Sequence, residues 1–236
     1  MIVAIAVTVL SLAGCGGNSD MLKGADTGTS VTASTTPTAS SDSIFTTEII
    51  NKDDFSQAVI ASVEEIKTYH MEVSMGVAIS GEKHTVKLAS GYDNRAAPKA
   101  HVVVRTPRKN ADLVVLGKEV YRKNGSAWVK STENNAGLGQ ATLADIVRKF
   151  TKAVEYAIYM GQDSRGHRFD VVLDPDTMGA GEASAVVGQS AEMTLWLDDA
   201  KRVVDMKLAM GGKDPRVTMD VKLSKFGEPV SIPEVS

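Results

Sequence analysis

Read from Ile44 onward, the apolar positions first recur at helical spacing and then switch to a period of two. Phe55, Val59, Val63 and Ile66 lie three or four residues apart, and Asn51 before them is a good N-cap. The spacing predicts a helix over residues 52–68. From Tyr69 the residues Tyr69, Met71, Val73, Met75, Val77 and Ile79 alternate with His70, Glu72, Ser74, Gly76 and Ala78. That is a long strand with one apolar face. A turn at Gly81-Glu82 leads into a second strand carrying Val86 and Leu88 on one face. Strands are further predicted over 100–105, 112–117, 118–123 and 126–130, the last two joined by Asn124-Gly125, a strong signal for a tight hairpin.

A second helix is predicted over 143–152, with Leu143, Ile146, Val147 and Phe150 on its apolar side and Thr142 as its cap. A hairpin follows, 154–160 and 167–174, turning at Asp163–Gly166. Residues 175–190 are rich in Gly, Ala and Ser and read as a loop, a candidate gate. Three final strands cover 192–198, 201–210 and 215–224. On them Val204, Met206, Leu208 and Met210 share one face, as do Val217, Met219, Val221 and Leu223. An antiparallel sheet with one apolar face must cover that face. Two helices are too few for about ten or eleven strands. The expected fold is therefore α+β, a curved antiparallel sheet forming a half-open barrel with helices on its concave side and apolar surface left over.

The N-terminus breaks the pattern. Residues 2–14 hold no charge and are too short for a transmembrane helix, but have the length of a signal-peptide apolar core. The run ends in Leu12-Ala13-Gly14-Cys15, a lipobox. It predicts a signal peptide over 1–14 and an acylated Cys15 that anchors the chain on the extracytoplasmic face of the cell membrane. The first Lys or Arg is Lys23, so the basic segment that normally opens such a signal does not stand before this run. Between Thr27 and Ser43, eleven of seventeen residues are Ser or Thr, which leaves little to bury. Residues 15–44 therefore read as the lipidated cysteine and a disordered tether, spanning roughly 30 Å as a coil. The folded domain is expected over 45–236.

Composition narrows the chemistry. With 26 basic and 29 acidic side chains the net charge is −3, too little basic excess for a nucleic-acid binder. A single cysteine cannot form an internal disulfide or a zinc knuckle. Aromatics make up 5 % of the chain, too few for a stacking surface. Catalytic signatures are missing: Gly188-Gln189-Ser190-Ala191-Glu192 lacks the final glycine of a nucleophile elbow, and no His-Glu-x-x-His occurs. His70, His84, His101 and His167 lack metal-ligand spacing, and the first three are expected to be solvated. Gly137-Leu138-Gly139 and Gly179-Ala180-Gly181 follow no parallel strand, so no nucleotide cofactor is expected. Asp170, Asp174 and Asp176 fit a strand end better than a calcium site. Six methionines (Met71, Met75, Met193, Met206, Met210 and Met219) fall on predicted strands, where a flexible, polarizable side chain suits varied apolar ligands.

The run MTLWLDDAKRVVDMKLAM at 193–210 places Trp196 before Asp198 and Asp199. The run VTMDVKLSKFGEPVSIPEV at 217–235 leads into Gly227-Glu228-Pro229-Val230, and LGKEVYRKNGSAWVKST at 116–132 carries a Tyr and a Trp on a hairpin. With the lipobox and the Ser/Thr tract, these segments resemble the LppX/LprA/LprF/LprG lipoprotein family of mycobacteria and other actinobacteria. The resemblance implies a half-barrel akin to LolA and LolB, enclosing a hydrophobic cavity that holds acyl chains of lipids or glycolipids in the cell envelope. It carries over no polar ligand-gripping residue.

The two lines of reasoning lead to one expectation: a membrane-anchored carrier of lipid or glycolipid acyl chains, with no catalysis, cofactor, metal or nucleic acid. A membrane transporter is a further partner this reading admits. The candidate cavity residues are Val73, Met75, Val86, Leu88, Met206, Leu208, Met219 and Val221. The alternative is an envelope scaffold with a solid core. A hydrolase would need Ser184 or Ser190 beside His167.

Overall fold

The structure is a computed structural model, and it describes residues 44–45, 48–79, 82–95, 97–131, 143–174, 191–210 and 217–235. Cys15 and the tether through Ser43, Thr142, both glycine stretches, Asp176 and the loop 175–190 with Ser184 and Ser190 lie outside the described residues. In chain order the elements are β1 (Ile49–Asn51), α1 (Lys52–Glu64), β2 (Thr68–Ile79), β3 (Glu82–Asp93), β4 (Lys99–Arg105), β5 (Asn110–Leu116), β6 (Glu119–Asn124) and β7 (Ala127–Lys130). They continue with α2 (Leu143–Lys152), β8 (Val154–Asp163), β9 (Gly166–Leu173), β10 (Ala191–Leu197), β11 (Val203–Met210) and β12 (Val217–Ser224).

The twelve strands form one antiparallel sheet in the order β1-β8-β9-β10-β11-β12-β2-β3-β4-β5-β6-β7. Two meanders explain that order. β2 to β7 run outward to one edge, β8 to β12 run back inward, and β12 pairs with β2 at the centre. The edges β1 and β7 are not paired with each other, so the barrel stays half open. One or two strands more are present than the periodicity predicts, because β1 is only three residues long and carries no alternation of its own.

Local chemistry accounts for most boundaries. The Asn51 side chain accepts hydrogen bonds from the Asp53 and Asp54 backbone N–H groups, both at 3.0 Å, which starts α1. The helix stops at Glu64, short of the expected residue 68. Ile66 instead sits in the link to β2, where its N–H donates to the Val63 carbonyl. Gly125 takes a φ of +62° at the β6–β7 turn, as the Asn-Gly signal requires. Gly166 opens β9 at φ +133°, where a Cβ would lie 2.4 Å from the Leu197 carbonyl oxygen. That contact allows no side chain.

The register keeps one apolar face per strand, with two shifts in the β8–β9 pair and one in β10–β11 that displaces an expected core residue. Met206, Leu208 and Met210 share a face, as expected, but Val204 does not continue the row. Pairing slips between Trp196 and Leu197, so that Trp196 faces Asp205 and Leu197 faces Val203. Val203 is the residue that enters the core, and Val204 is only half-buried. A bulge of this kind cannot be seen in a period-two pattern.

The outer, convex face is mostly polar but not bare. Trp196 is buried there beneath the Arg165 guanidinium, 3.6 Å from the ring centroid, and its indole N–H donates to Asp163 at 3.0 Å. The Arg165 backbone N–H, the Trp196 indole and the Arg165 guanidinium together hold the Asp163 carboxyl at a pKa of about 2. The C-terminal segment crosses β3: Gly91 has no side chain where Val230 packs, and the Gly227 N–H donates to the Thr68 carbonyl at 2.9 Å.

Candidate functional site: the concave face

On the inner face the main core joins Phe55, Val59 and Val63 of α1 and Leu143, Ala144 and Val147 of α2 to strand residues such as Tyr69, Val102, Val115, Phe169 and Leu195. The helices are tied to each other by an Arg148–Glu64 ion pair at 2.7 Å, and α1 packs on β1 and β8. Phe55 meets Phe169 at 5.5 Å between ring centroids. α1 therefore sits toward one edge of the sheet.

Burial falls away from that edge. One lateral row runs Leu223, Met71, Ser90, Val102, Leu113, Arg122, Val129 across β12 to β7. Its first four members are buried, Leu113 and Arg122 are half-buried, and Val129 is 51 % exposed. Met206, Leu208, Met219, Val77 and Val104 on the same face are also only half-buried. Two helices leave part of a twelve-stranded face open among the described residues, and what they leave is mostly apolar, with Arg122 in the row and Glu82 and His84 at the hairpin end.

All eight candidate residues lie on this face, in two groups. Val73, Leu88 and Val221 belong to the main core, with Met206, Leu208 and Met219 packed against its margin. Met75 and Val86 instead join Met210 and Val217 in a separate cluster near the β2–β3 and β11–β12 hairpins, which Leu208 and Val104 connect to the main core. Met71, Met75, Met193, Met206, Met210 and Met219 all share the face, whereas Met160 on β8 is 51 % exposed. A cleft of about 460 Å³ lies elsewhere, at the opposite strand ends, between the α1–β2 link and the C-terminal segment. Its walls include Ile66, Thr68, Arg95, Arg202, Phe226 and Pro229, and none of the eight residues lines it.

At that same end of the strands, Tyr69 and Tyr92 stack at 4.7 Å, nearly parallel. Burial pushes the Tyr69 hydroxyl well above its ordinary pKa, with the neighbouring Tyr92 adding to the shift, and its oxygen has no partner among the described residues. His167 is engaged on both nitrogens: Nδ1 lies 3.0 Å from the Tyr159 hydroxyl and Nε2 lies 3.1 Å from Asp199. Phe45 stacks on its ring at 3.8 Å, which fixes where the chain from the N-terminus joins the domain. His70, His84 and His101 are all half-buried rather than solvated, and His101 pairs with Asp112 at 2.7 Å. Among the described residues no group of three or more His, Cys, Asp or Glu could hold a metal ion. No described helix is long and apolar enough to cross a membrane.

Periodicity missed two features of this face. Val129 and Arg122 sit on short strands whose alternation is too brief to rank one face as inner, and only the register through β5 assigns them to it.

No protein-family model matches the chain, and no curated protein sequence matches it. Among solved structures it is similar to LprF from Mycobacterium bovis, with a TM-score of 0.57 and 16 % identity over 78 % of this chain and 96 % of that one. Other matches are the lipoprotein LppX of Mycobacterium tuberculosis, at TM-score 0.47 and 13 % identity over 77 % and 96 %, and a LolA superfamily protein of Nitrosomonas europaea, at 0.32 and 9 % over 78 % and 96 %. The match to LprF establishes a shared fold.

Proposed function

Taking that shared fold as the premise, we propose that the chain is a lipoprotein of the LppX/LprA/LprF/LprG type. In this reading it is anchored through Cys15 on the extracytoplasmic face of the cell membrane and holds lipid acyl chains on its concave face. The observation that carries the reading is the run of half-buried apolar residues on that face, Leu113, Val104, Met206, Leu208 and Met219, beside a fully buried core. A chain leaving the bilayer for this surface keeps its apolar surroundings, and each methylene it buries is worth about 0.8 kcal/mol. Methionines at 206 and 219 can adjust to chains of different shape. The sheet binds by area and needs no reacting group. The resemblance in the lipobox and C-terminal runs supports the same reading independently of the fold.

A hydrolytic role finds less support, because among the described residues His167 meets Tyr159 and Asp199 rather than a serine. The scaffold alternative draws on the unpaired edge of β7, where Val129 is exposed. Native mass spectrometry of the full chain with Cys15→Ser, which prevents acylation, separates the two. The carrier reading expects lipid adducts that exchange with added vesicles. A chain that retains no lipid and takes none up supports the scaffold and overturns the carrier.

A further inference from the structure

Arg122 is out of place. It sits in β6 on the concave face, and its same-face neighbours are Val120 and Asn124 on its own strand, Leu113 across β5 and Val129 across β7. None of these carries a charge. Over β2 to β7 the face's other charged or titratable positions are Glu82 and His84, which pair with each other at 3.8 Å near the hairpin end, and Tyr69 and Tyr92, which stack at the opposite strand ends and which burial keeps neutral.

The remaining described arginines behave differently. Arg95, Arg148, Arg165, Arg168 and Arg202 each meet a carboxylate within 3.1 Å. Arg105 and Arg108 are exposed, where water serves them. Arg122 alone is half-buried, surrounded by apolar and neutral positions, and without an ion pair among the described residues. A guanidinium held against apolar surface loses part of its hydration and gains from an anion that can accept two parallel hydrogen bonds.

We propose that Arg122 binds the phosphate head of an anionic phospholipid whose acyl chains lie along the half-buried apolar residues of the concave face. The inference rests on the lipid-holding reading above and names the ligand class for it. Length favours a lipid over free phosphate. From β6 to β12 is five strand spacings, an arc of roughly 24 Å. One leaflet's chains fill roughly 15 Å, half a bilayer's hydrocarbon core. A chain that starts at Arg122 therefore spans about three of those spacings, over Leu113 and Val104 as far as β3, where Leu88 and Val86 are buried. Empty, the guanidinium keeps water on its free side; occupied, it exchanges that water for phosphate oxygens.

The test uses the full chain with Cys15→Ser and two fluorescent probes with identical acyl chains, NBD-labelled phosphatidylglycerol and NBD-labelled diacylglycerol. The parent chain is expected to bind the anionic probe at least about tenfold more tightly, the usual size of a charge-assisted contact. Arg122→Leu is expected to lose that preference while binding diacylglycerol as before, and Arg122→Lys to keep much of it. Added salt should narrow the gap. A parent chain that binds both probes equally, or an Arg122→Leu variant that still prefers phosphatidylglycerol, overturns the headgroup site and leaves lipid binding intact. Failure of both probes to bind the parent chain overturns the lipid reading, and this one with it.

Discussion

Leu195 and Leu208 lie on adjacent strands and on the same face, Leu195 opposite Met206 and Leu208 opposite Met193. Their surroundings differ. Leu195 has 0 % of its surface exposed inside the main core, whereas Leu208 is half-buried at the margin of both apolar clusters. Truncation to alanine removes the same atoms from each, so the difference in cost reports how well each site is filled. At Leu195 the loss combines transfer energy with an unrelaxed cavity, about 3–5 kcal/mol. At Leu208 much of the side chain already meets open space, so no new cavity forms and the cost is about 1–2 kcal/mol. For a domain of this size the two should separate in melting temperature by roughly 4–10 °C. Urea unfolding of the full chain, followed by Trp196 fluorescence and circular dichroism, measures both. Bound lipid should widen the cost at Leu208, because the ligand supplies the neighbours that the protein lacks there. If Leu208→Ala costs as much as Leu195→Ala in lipid-free protein, the concave face is already filled by the chain itself. The open-face reasoning is then wrong.

Two further outcomes follow from single groups. Tyr69→Phe removes a buried hydroxyl without a described partner while keeping the stack on Tyr92, so it should raise stability by about 1 kcal/mol; a comparable loss in urea titration would mean that the hydroxyl has a partner. Asp163 has a folded-state pKa of about 2, below its ordinary 3.8, so the stability it contributes is complete above that ordinary value and is lost as pH falls from 3.8 through about 2. Asp163→Asn should flatten that acid limb in a Trp196 fluorescence titration, and an unchanged limb would assign acid unfolding to other carboxylates.

Where an element is long and one of its faces is fully buried, the chain spells it out. The alternation from Tyr69 to Val77, the helix at Leu143–Lys152 and the Asn124-Gly125 turn all occupy the expected positions. Three errors share a cause. The end of α1, the displaced Val204 and the half-buried His101 each depend on what lies across from them, and periodicity along one strand holds no information about a neighbour. The Trp196–Arg165–Asp163 stack shows the same limit, since its members come from two hairpins and meet only through the pairing of β9 with β10.

The sequence by itself determined the kind of object: an antiparallel sheet with one apolar face, two helices, a polar tract and an N-terminal run of lipobox type. Hydrophobic periodicity states which residues must leave water, and that is a local property. Only the tertiary structure decided how much of the apolar face the helices cover. It alone placed Met75 and Val86 in a cluster apart from Val73 and Leu88, and brought Arg122 onto the same surface as Leu113 and Val129. Those outcomes follow from strand order and register, which pair residues distant in the chain, and no pattern along a single strand records them.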